Sequence, residues 1–410
     1  MSTTARSTRP AARGLFLLGP AFVAAIAYVD PGNVAANLTG GARYGYLLVW
    51  VLVVANLMAG LVQYQSAKLG LVSGRTLPEL LGDRLKPTAR RLFWVQAELV
   101  AAATDLAEVI GGAIALNLLF GLPLFVGGLI VGAVSTGLLA LQSRYGQRPF
   151  ETVIIGLLAI IAIGFLAGLF ITPPDGFAVL DGLIPRFDGT GSVLLSASML
   201  GATVMPHAIY VHSALARDRH GHSATPEARR LILRTTRLDV IVALGIAGIV
   251  NIGMLLLAAV NLRNIDGTDT ISGAHAAIGA SLGPGIALVF SIGLLASGLA
   301  STSVGTYAGA TIMAGLLKRR IPVFLRRLIT LVPAVALLAA GIDPTAALVV
   351  SQVFLSFGIP FALVPLLRLT NDPNVMAEQV NRRPMRLALS LIVVLVVALN
   401  FALIGLTVWG

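Results

Sequence analysis

An aspartate stands inside the first apolar stretch of this chain, in the run AYVDPGNVA at residues 27–35. No other charged residue occurs between Leu15 and Ala42. A carboxylate in the middle of a bilayer costs about 2.5 to 3.5 kcal/mol even on lenient insertion scales, so it marks a functional site by default. Asp30 can also cap a helix that begins at Pro31, but a serine would cap that helix without the cost of burial.

The neighbours of Asp30 are donors that suit a transition metal. Asn33 offers an amide oxygen one turn later, and Met205 offers a thioether beside a second helix-breaking proline. Hard oxygens with one sulfur, together with backbone carbonyls such as those of Ala27 and Ala202, suit Mn²⁺ or Fe²⁺. Mg²⁺ and Ca²⁺ prefer shells of oxygen alone. A methionine on an apolar helix is usually core packing, but the position of Met205 beside the proline favours a ligand.

Three acidic residues lie in the third apolar stretch. Glu98, Asp105 and Glu108 are spaced seven and three apart, which places them along one stripe of a helix. Acidic residues stacked inside a membrane span are expected in proton relays. Glu98 lies near one end of the stretch, where a structural salt bridge explains it equally well.

Other polar residues in apolar stretches have two interpretations each. His207 follows the second proline and can either bind metal or carry a proton near neutral pH, and we favour the proton. His212 lies about 140° further round a helix, which favours a structural role. Gln352 is either an oxygen donor or an interhelical hydrogen-bond partner, and both histidines can also be hydrogen-bonded core residues. The small residues of the eighth stretch favour helix packing, with the wall of a polar pathway as the alternative.

Composition indicates which elements must hold these residues. The 410 residues are 57% hydrophobic and 11% charged, with a mean hydropathy of +0.89, which predicts an all-α polytopic membrane protein. Stretches of about 20 apolar residues can each cross a hydrocarbon core of roughly 30 Å. Eleven spans are predicted, near residues 15–38, 46–70, 92–118, 123–141, 150–171, 192–216, 238–260, 276–317, 322–340, 344–367 and 387–409.

Basic residues predict the orientation of these spans, because Lys and Arg accumulate in short cytoplasmic loops. Of the 29 Lys and Arg, all except Arg43, Arg186 and Arg263 fall in the N-terminal tail or in every second connection between spans, which lie on the same side of the membrane. This places the N-terminal tail, residues 1–14, in the cytoplasm and the C-terminus outside, and the short loops fit a multi-pass protein of a bacterial inner membrane. The first stretch is too long for a signal peptide. With no cysteine, the chain has no disulfide and no thiolate metal site.

Two of the predicted spans are interrupted near their middles. Asp30-Pro31-Gly32-Asn33 breaks the first, and Met205-Pro206-His207 breaks the sixth. The first break lies in the first of five consecutive spans, and the second break lies in the first of the next five. Because five is an odd number, the second set of five is inverted in the membrane relative to the first. We expect one repeat over residues 15–171, a second over 192–367 and an eleventh helix over 387–410. Paired broken helices in inverted repeats are typical of secondary transporters with a site at the midplane.

The motifs DPGN at residues 30–33, MPH at 205–207 and GTYAG at 305–309 together resemble the natural resistance-associated macrophage protein (Nramp) family of divalent metal transporters. The resemblance covers nearly the whole chain. It implies a LeuT-like fold with an inverted five-plus-five repeat and broken helices 1 and 6. It also implies import of Mn²⁺ or Fe²⁺ as substrate, with H⁺ as the coupled ion and no permanently bound cofactor.

The resemblance also assigns residues to two sites. It implies a metal site formed by Asp30, Asn33, Met205 and the carbonyl of Ala202, joined in some states by the carbonyl of Ala27 and the side chain of Gln352. It implies a proton pathway through Asp30, Asp105, Glu108, His207 and Glu98, with Arg219, Arg326 and Arg327 as basic partners.

Other functions are less consistent with the sequence. A carrier of the same fold for a small organic solute such as an amino acid, driven by Na⁺ or H⁺, is the main alternative, but Asp30 would repel a carboxylate substrate. A channel has no need of paired breaks. Neither a metalloprotease motif nor a phosphate loop is present, so we expect no enzyme and no ATP-driven pump. Dispersed basic residues disfavour nucleic acid, and no obligatory protein partner is implied.

Overall fold

A computed structural model describes residues 18–221, 225–319 and 321–409, and within these ranges the chain forms helices and no strand. The predicted N-terminal tail, residues 1–14, and the first three residues of the predicted first span lie outside the described residues. Eight of the described helices are long and apolar enough to cross a membrane, and three shorter apolar helices accompany them. The predicted all-α membrane fold is confirmed.

Spans 1 and 6 are both broken, as predicted. Span 1 consists of Pro20–Ile26, a 3-10 turn at Ala27–Val29, and a second half-helix at Pro31–Tyr44. Span 6 consists of Gly189–Thr203 and Pro206–His220.

The other nine predicted spans are single helices. Span 2 is Val49–Ser73, span 3 Pro87–Phe120, span 4 Leu124–Tyr145, span 5 Gln147–Leu166, span 7 Pro226–Asn261, span 8 Pro284–Leu317, span 9 Val323–Ala339, span 10 Pro344–Thr370 and span 11 Arg383–Trp409. Shorter helices lie between spans, at Leu77–Arg84, Ala167–Phe170, Gly176–Asp181, Ile271–Leu282, Pro373–Met376 and Ala377–Gln379.

The predicted start of span 8 is wrong. The sequence suggested one stretch over 276–317, but the structure ends a separate helix at Leu282 and begins span 8 at Pro284. Gly283 between them has φ +94°, a conformation that glycine adopts without strain. Proline at the first helical position then starts the new helix, because its missing N–H is not needed there. Apolar composition alone does not reveal such a corner.

Hydrogen bonds from spans 7 and 8 hold the turn inside span 1. Asn251 Nδ2 donates to the carbonyl of Tyr28 at 2.7 Å, and Ser297 Oγ donates to the carbonyl of Val29 at 2.6 Å. Backbone groups that leave a helix inside a membrane must find partners within the protein. These two side chains supply the hydrogen-bond partners, so contacts from neighbouring spans stabilise the break.

Span 10 contains two internal prolines whose effects on the backbone are compensated in the same way. Pro360 and Pro365 lack the N–H groups that would bond the carbonyls of Ser356 and Phe361, four residues earlier. Asn400 Nδ2 of span 11 donates to the Ser356 carbonyl at 2.9 Å. The Tyr210 hydroxyl of span 6 donates to the Phe361 carbonyl at 3.3 Å. Span 10 is therefore tied by polar contacts to spans 6 and 11.

Candidate metal site

The two helix breaks have the same local design. Pro31 and Pro206 each occupy the first position of a second half-helix, and each follows an extended N-cap residue. The N-cap residues are Asp30, with φ −70°, and Met205, with φ −71°. Aligning the two prolines therefore pairs equivalent positions of the two repeats.

The prolines also change what the preceding carbonyls can do. In a continuous helix the N–H of residue 31 would bond the carbonyl of Ala27, and that of residue 206 would bond the carbonyl of Ala202. Proline has no N–H to give. Both carbonyls are thus released from the regular helical pattern at the point where the chain unwinds, which makes them available to other partners.

Asp30 caps its helix with one carboxylate oxygen and keeps the other free of such bonds. Oδ1 accepts from the backbone N–H of Asn33 at 2.8 Å and from Asn33 Nδ2 at 2.7 Å. Oδ2 is buried and has no hydrogen-bond partner among the described residues. Capping accounts for the first oxygen only. A buried, unpartnered carboxylate oxygen needs a further explanation, and a cation is the simplest one.

Asn33 links the two breaks directly. Its Nδ2 donates to the carbonyl of Ala202 at 3.0 Å as well as to Asp30, and its Oδ1 lies 3.4 Å from Thr203 Oγ1. Met205, two residues further on, is fully buried. The structure thus brings together Asp30, Asn33 and the carbonyl of Ala202, with Met205 at the repeat-equivalent position in the second break.

Gln352 of span 10 lies against both breaks. A Cβ added to Gly32 would come within 1.8 Å of Gln352 Nε2, and a Cβ added to Gly201 would come within 2.3 Å of the Gln352 carbonyl. Its Oε1 is buried without a hydrogen-bond partner among the described residues. Glycine at both positions is what lets span 10 approach so closely, and it leaves the Gln352 amide against Gly32, two residues after Asp30.

The resulting donors are of mixed type. Within the described residues no group of three or more His, Cys, Asp or Glu side chains is arranged to hold a metal ion. The candidate donors at the breaks are one carboxylate, amide and carbonyl oxygens and, by its position equivalent to Asp30, the thioether of Met205. That combination suits borderline divalent ions better than Mg²⁺ or Ca²⁺.

Glu108 of span 3 lies next to this site. Gly111, one turn along, packs on the first break so closely that a Cβ there would come within 2.0 Å of Pro31 Cβ. Glu108 is fully buried, and neither of its carboxyl oxygens has a hydrogen-bond partner among the described residues. A Cβ on Gly305 of span 8 would stand 2.8 Å from its Oε2, so this glycine makes room for the carboxylate.

The other two acidic residues of span 3 pair with span 9. Asp105 pairs with Arg327, and both side chains are almost fully buried. Glu98 Oε1 lies 2.7 Å from Arg326 Nη2. The salt bridge considered for Glu98 is therefore present. Glu108 and these two pairs form a row of ionisable groups, called the acidic file below, that leads from the first break toward one end of the bundle.

The histidines of span 6 face different neighbours. His207 Nδ1 lies 3.5 Å from Thr104 Oγ1 of span 3, beside Asp105, and its Nε2 is buried without a hydrogen-bond partner among the described residues. His212 Nδ1 lies 2.8 Å from Gln63 Oε1 of span 2. His207 is thus adjacent to the acidic file, whereas His212 is part of a separate contact with span 2.

Arg219 lies in a different cluster from the acidic residues of span 3. Its Nε is 3.1 Å from Glu151 Oε2 of span 5. Close by, Asp239 of span 7 accepts from the backbone N–H groups of Gly19 and Ala21 at 3.1 and 2.9 Å. The structure therefore brings Arg219 to the start of span 1, whereas Arg326 and Arg327 reach Glu98 and Asp105.

The acidic file ends at a polar cavity of about 280 Å³. Arg326 lines this cavity together with Tyr307, and Arg217 and Glu79 complete its charged wall. Arg217 Nη1 lies 2.8 Å from Glu79 Oε2. The cavity lies at the end of the bundle that carries the basic loops, so it connects the file to the side that the positive-inside rule marks as cytoplasmic.

Replacing Gly309 with alanine should destabilise the protein by about 1 to 3 kcal/mol, the usual effect of overpacking. A Cβ at this position would come within 1.9 Å of Arg326 Nη2, in a guanidinium held by Glu98. Gly156→Ala is the matched control, because nothing lies within 4 Å of a Cβ there. Thermal unfolding of the purified variants measures the difference, and equal melting temperatures would contradict the assignment of Gly309 as space for Arg326.

Several residues in this region were not singled out by the sequence. Gln63 Nε2 donates to the Tyr28 hydroxyl at 2.6 Å and so joins that residue to His212. Asn37 Nδ2 donates to Asn251 Oδ1 at 2.8 Å, next to the bond that Asn251 makes to the turn. The available signal was an uncharged polar residue in an otherwise apolar span, which on its own predicts only interhelical hydrogen bonding.

The chain is similar in sequence to known metal transporters over nearly its whole length. Residues 21–406 match the family described as natural resistance-associated macrophage protein-like. The divalent metal cation transporter MntH of Mycobacterium tuberculosis is 60% identical over 395 residues, which cover 96% of this chain and 92% of that protein. The protein of the same name from Bacillus subtilis is 46% identical over 395 residues, with the same two coverages.

A solved structure shows the same fold. The manganese transporter of Eremococcus coleocola, crystallised in complex with an aromatic bis-isothiourea substituted compound, superposes with a TM-score of 0.87 at 31% sequence identity. The match covers 98% of this chain and 89% of that one. This agreement confirms the predicted LeuT-like architecture with its two broken spans. The division into repeats at 15–171, 192–367 and 387–410 stays a prediction.

Proposed function

This chain belongs to the natural resistance-associated macrophage protein family, and we propose that it imports Mn²⁺ or Fe²⁺ across the cell membrane by alternating access, coupled to the entry of protons. The observation that carries the proposal is the buried Asp30 Oδ2, which has no hydrogen-bond partner among the described residues and lies between two helix breaks. Relatives named divalent metal cation transporters and a relative named manganese transporter support the same substrate class.

In this proposal each donor has a separate task. Asp30 supplies the negative charge that draws a divalent cation out of water, and the carbonyl of Ala202 supplies a dipole at the second break. Asn33 presents an amide oxygen once its side chain turns away from Ala202. Met205 supplies the sulfur that favours Mn²⁺ and Fe²⁺ over harder ions.

Two further donors act in only part of the transport cycle. The carbonyl of Ala27 lies on the first half-helix and follows that half-helix when it moves. Gln352 approaches from span 10 against Gly32. The proposed ligand set therefore changes as the breaks rearrange, which lets one site be strong enough to capture the ion and weak enough to release it.

Protons are proposed to leave the site through span 3. The route runs from Asp30 to Glu108, passes His207 and the Asp105–Arg327 pair, and reaches the polar cavity beside the Glu98–Arg326 pair. Buried carboxylates that pair with basic side chains inside a membrane are expected in a proton relay. Arg219, which lies beside Glu151, is proposed to act at the start of span 1 instead.

The direction of transport follows from the membrane potential and the orientation of the chain. The distribution of basic residues among the loops supports a cytoplasmic N-terminus and a C-terminus on the outside. A potential that is negative inside favours inward movement by about 2.3 kcal/mol per charge per 100 mV. In this proposal, release to the cytoplasm requires movement of Pro20–Ile26, whose N-terminal end is held by Asp239 through the N–H groups of Gly19 and Ala21.

An organic-solute symporter remains the weaker candidate. Substrate carboxylates in LeuT-like carriers bind at the positive ends of half-helices. Here that end at Pro31 is already occupied by the carboxylate of Asp30. A second negative charge would be repelled at this position.

Glu108→Gln should separate proton flow from metal binding. The change keeps the shape of a side chain whose oxygens are unpartnered among the described residues, so folding is expected to survive. We expect Mn²⁺ still to bind, while the acidification that accompanies uptake into proteoliposomes falls about tenfold or more, as for loss of a positioned proton carrier. Internal pH and Mn²⁺ are read in the same vesicles.

The matched control is Glu378→Gln, which removes the same charge at an exposed position. Acidification equal to wild type in Glu108→Gln would exclude Glu108 from the pathway. Entry of neither Mn²⁺ nor protons with the wild-type protein, stably folded in the vesicles, would overturn the proposed function itself.

A further inference from the structure

An apolar groove opens between spans 3 and 10 at the end of the bundle that carries the basic loops. It encloses about 450 Å³ and is walled by Leu85, Phe93, Val364 and Leu369, with Arg84 and Arg368 among its lining residues. We propose that this groove binds an anionic phospholipid, with the phosphate at Arg368 and an acyl chain between the two spans. The proposal does not depend on the transported substrate.

The groove continues toward the middle of the membrane. A second cavity of about 230 Å³ lies between the same two spans and is walled by Leu92, Leu99 and Phe354. Phe361 lines both cavities and stacks edge to face on Phe93, with ring centroids 6.2 Å apart. The two cavities therefore lie end to end along spans 3 and 10 with this aromatic pair between them, and together they are called the furrow.

The length of this furrow fits one leaflet. From Phe354 to Arg368 span 10 advances by 14 residues, which corresponds to about 21 Å along the helix axis. Half of a hydrocarbon core of roughly 30 Å is about 15 Å. The apolar part of the furrow can thus hold an acyl chain over the depth of a leaflet, while the arginines at its end reach the headgroup layer.

Charge favours an anionic headgroup at the open end. Arg368 is exposed and forms no ion pair or side-chain hydrogen bond with any residue in the described part of the chain. The nearest carboxylate along the chain, Asp372, is bonded to Arg84 at 2.8 Å. Lys86 and Arg91, at the start of span 3, add exposed positive charge. Basic pockets between helices on the cytoplasmic side are typical binding places for anionic lipid headgroups.

The apolar walls select a lipid over a free anion. Inorganic phosphate would use Arg368 but would leave the walls of the groove uncovered. A phospholipid satisfies both, because its chain buries against Phe93, Val364 and Leu369 while its phosphate meets the guanidinium. The exposed faces of Leu92, Leu99 and Phe354 along the furrow are the surface that such a chain would cover.

Purified full-length protein in bilayer discs of phosphatidylglycerol and phosphatidylcholine provides the test. Native mass spectrometry after transfer to detergent counts the lipids that stay bound. We expect phosphatidylglycerol to be retained in preference to phosphatidylcholine. Arg368→Gln should reduce that retention about fivefold, the factor that one guanidinium near an anionic surface supplies, whereas Arg368→Lys should keep most of it.

Two further variants separate the groove from general surface charge. Val364→Trp fills the groove and should displace the lipid although every charge is kept. Arg148→Gln removes an exposed arginine at the start of span 5, outside the furrow, and should leave retention unchanged.

Three outcomes would overturn the proposal. Equal retention of the two lipids would show that the groove has no preference for charge. An equal loss in Arg148→Gln and Arg368→Gln would show a diffuse surface effect. Displacement of the lipid by excess inorganic phosphate alone would show a free-anion site.

Discussion

Replacing Asp30 with asparagine should abolish Mn²⁺ uptake while the protein stays folded. Asparagine caps a helix about as well as aspartate, so the bond to the N–H of Asn33 can persist. What is lost is the negative charge of Asp30 and its Oδ2, which has no hydrogen-bond partner in the described part of the chain. Since loss of an outer-shell partner already costs a metal site 10- to 100-fold, we expect loss of a charged ligand to reduce uptake by about 100-fold or more.

A second aspartate provides the matched control. Asp343 also precedes a proline, caps span 10 and accepts from the N–H of Thr345 at 3.0 Å. Asp343→Asn repeats the same chemical change at a cap without a predicted ligand and should transport Mn²⁺ normally. The measurement is initial uptake into proteoliposomes, with thermal unfolding as the check on folding. Full uptake by a stable Asp30→Asn protein would reduce Asp30 to a helix cap.

Met205→Ala should weaken selectivity more than it weakens transport. The thioether is the one soft donor proposed at the site. When the remaining ligands are all oxygens, the affinity for Mg²⁺ and Ca²⁺ rises relative to the affinity for Mn²⁺. We expect the ratio of Mn²⁺ to Mg²⁺ uptake to fall about tenfold or more, as for removal of one ligand-tuning interaction. Competition of Mg²⁺ and Ca²⁺ against Mn²⁺ in proteoliposomes measures this ratio.

Loss of volume must be separated from loss of sulfur. Met205 is part of the buried core, so its truncation is expected to destabilise the protein by about 2 to 5 kcal/mol. Met205→Leu keeps the volume and removes only the sulfur. Met199→Ala truncates another fully buried methionine of span 6, which packs against Gly40. If Met205→Leu keeps the wild-type ion preference, Met205 is a packing residue.

The sequence alone predicted the parts of the fold that have local signals. Proline, glycine and a charge inside an apolar stretch identified both breaks, and the structure places Asp30 and Met205 at matching N-cap positions. Apolar length identified the spans, because each must cross a layer of fixed thickness. The error at Gly283 arose because a short apolar helix outside a span has the same composition as the span it precedes.

Contacts between spans could not be predicted in this way. The eighth stretch was interpreted as packing, yet Gly305 and Gly309 make room for the carboxylate of Glu108 and the guanidinium of Arg326. Arg219 was grouped with the acidic file of span 3 but pairs with Glu151. Which arginine meets which carboxylate depends on how helices distant in the sequence pack, and a single sequence carries no signal for that arrangement.

The position of Gln352 has a consequence for energy conversion. Its side chain lies against Gly32 in one break, and its carbonyl lies against Gly201 in the other. In the proposed transport cycle both breaks move, and a residue packed against both would transmit displacement from one to the other. We therefore expect the two broken spans to rearrange in a single step. Slippage, the passage of ions outside complete cycles, would then be limited by how tightly this one residue fills the gap between the two halves.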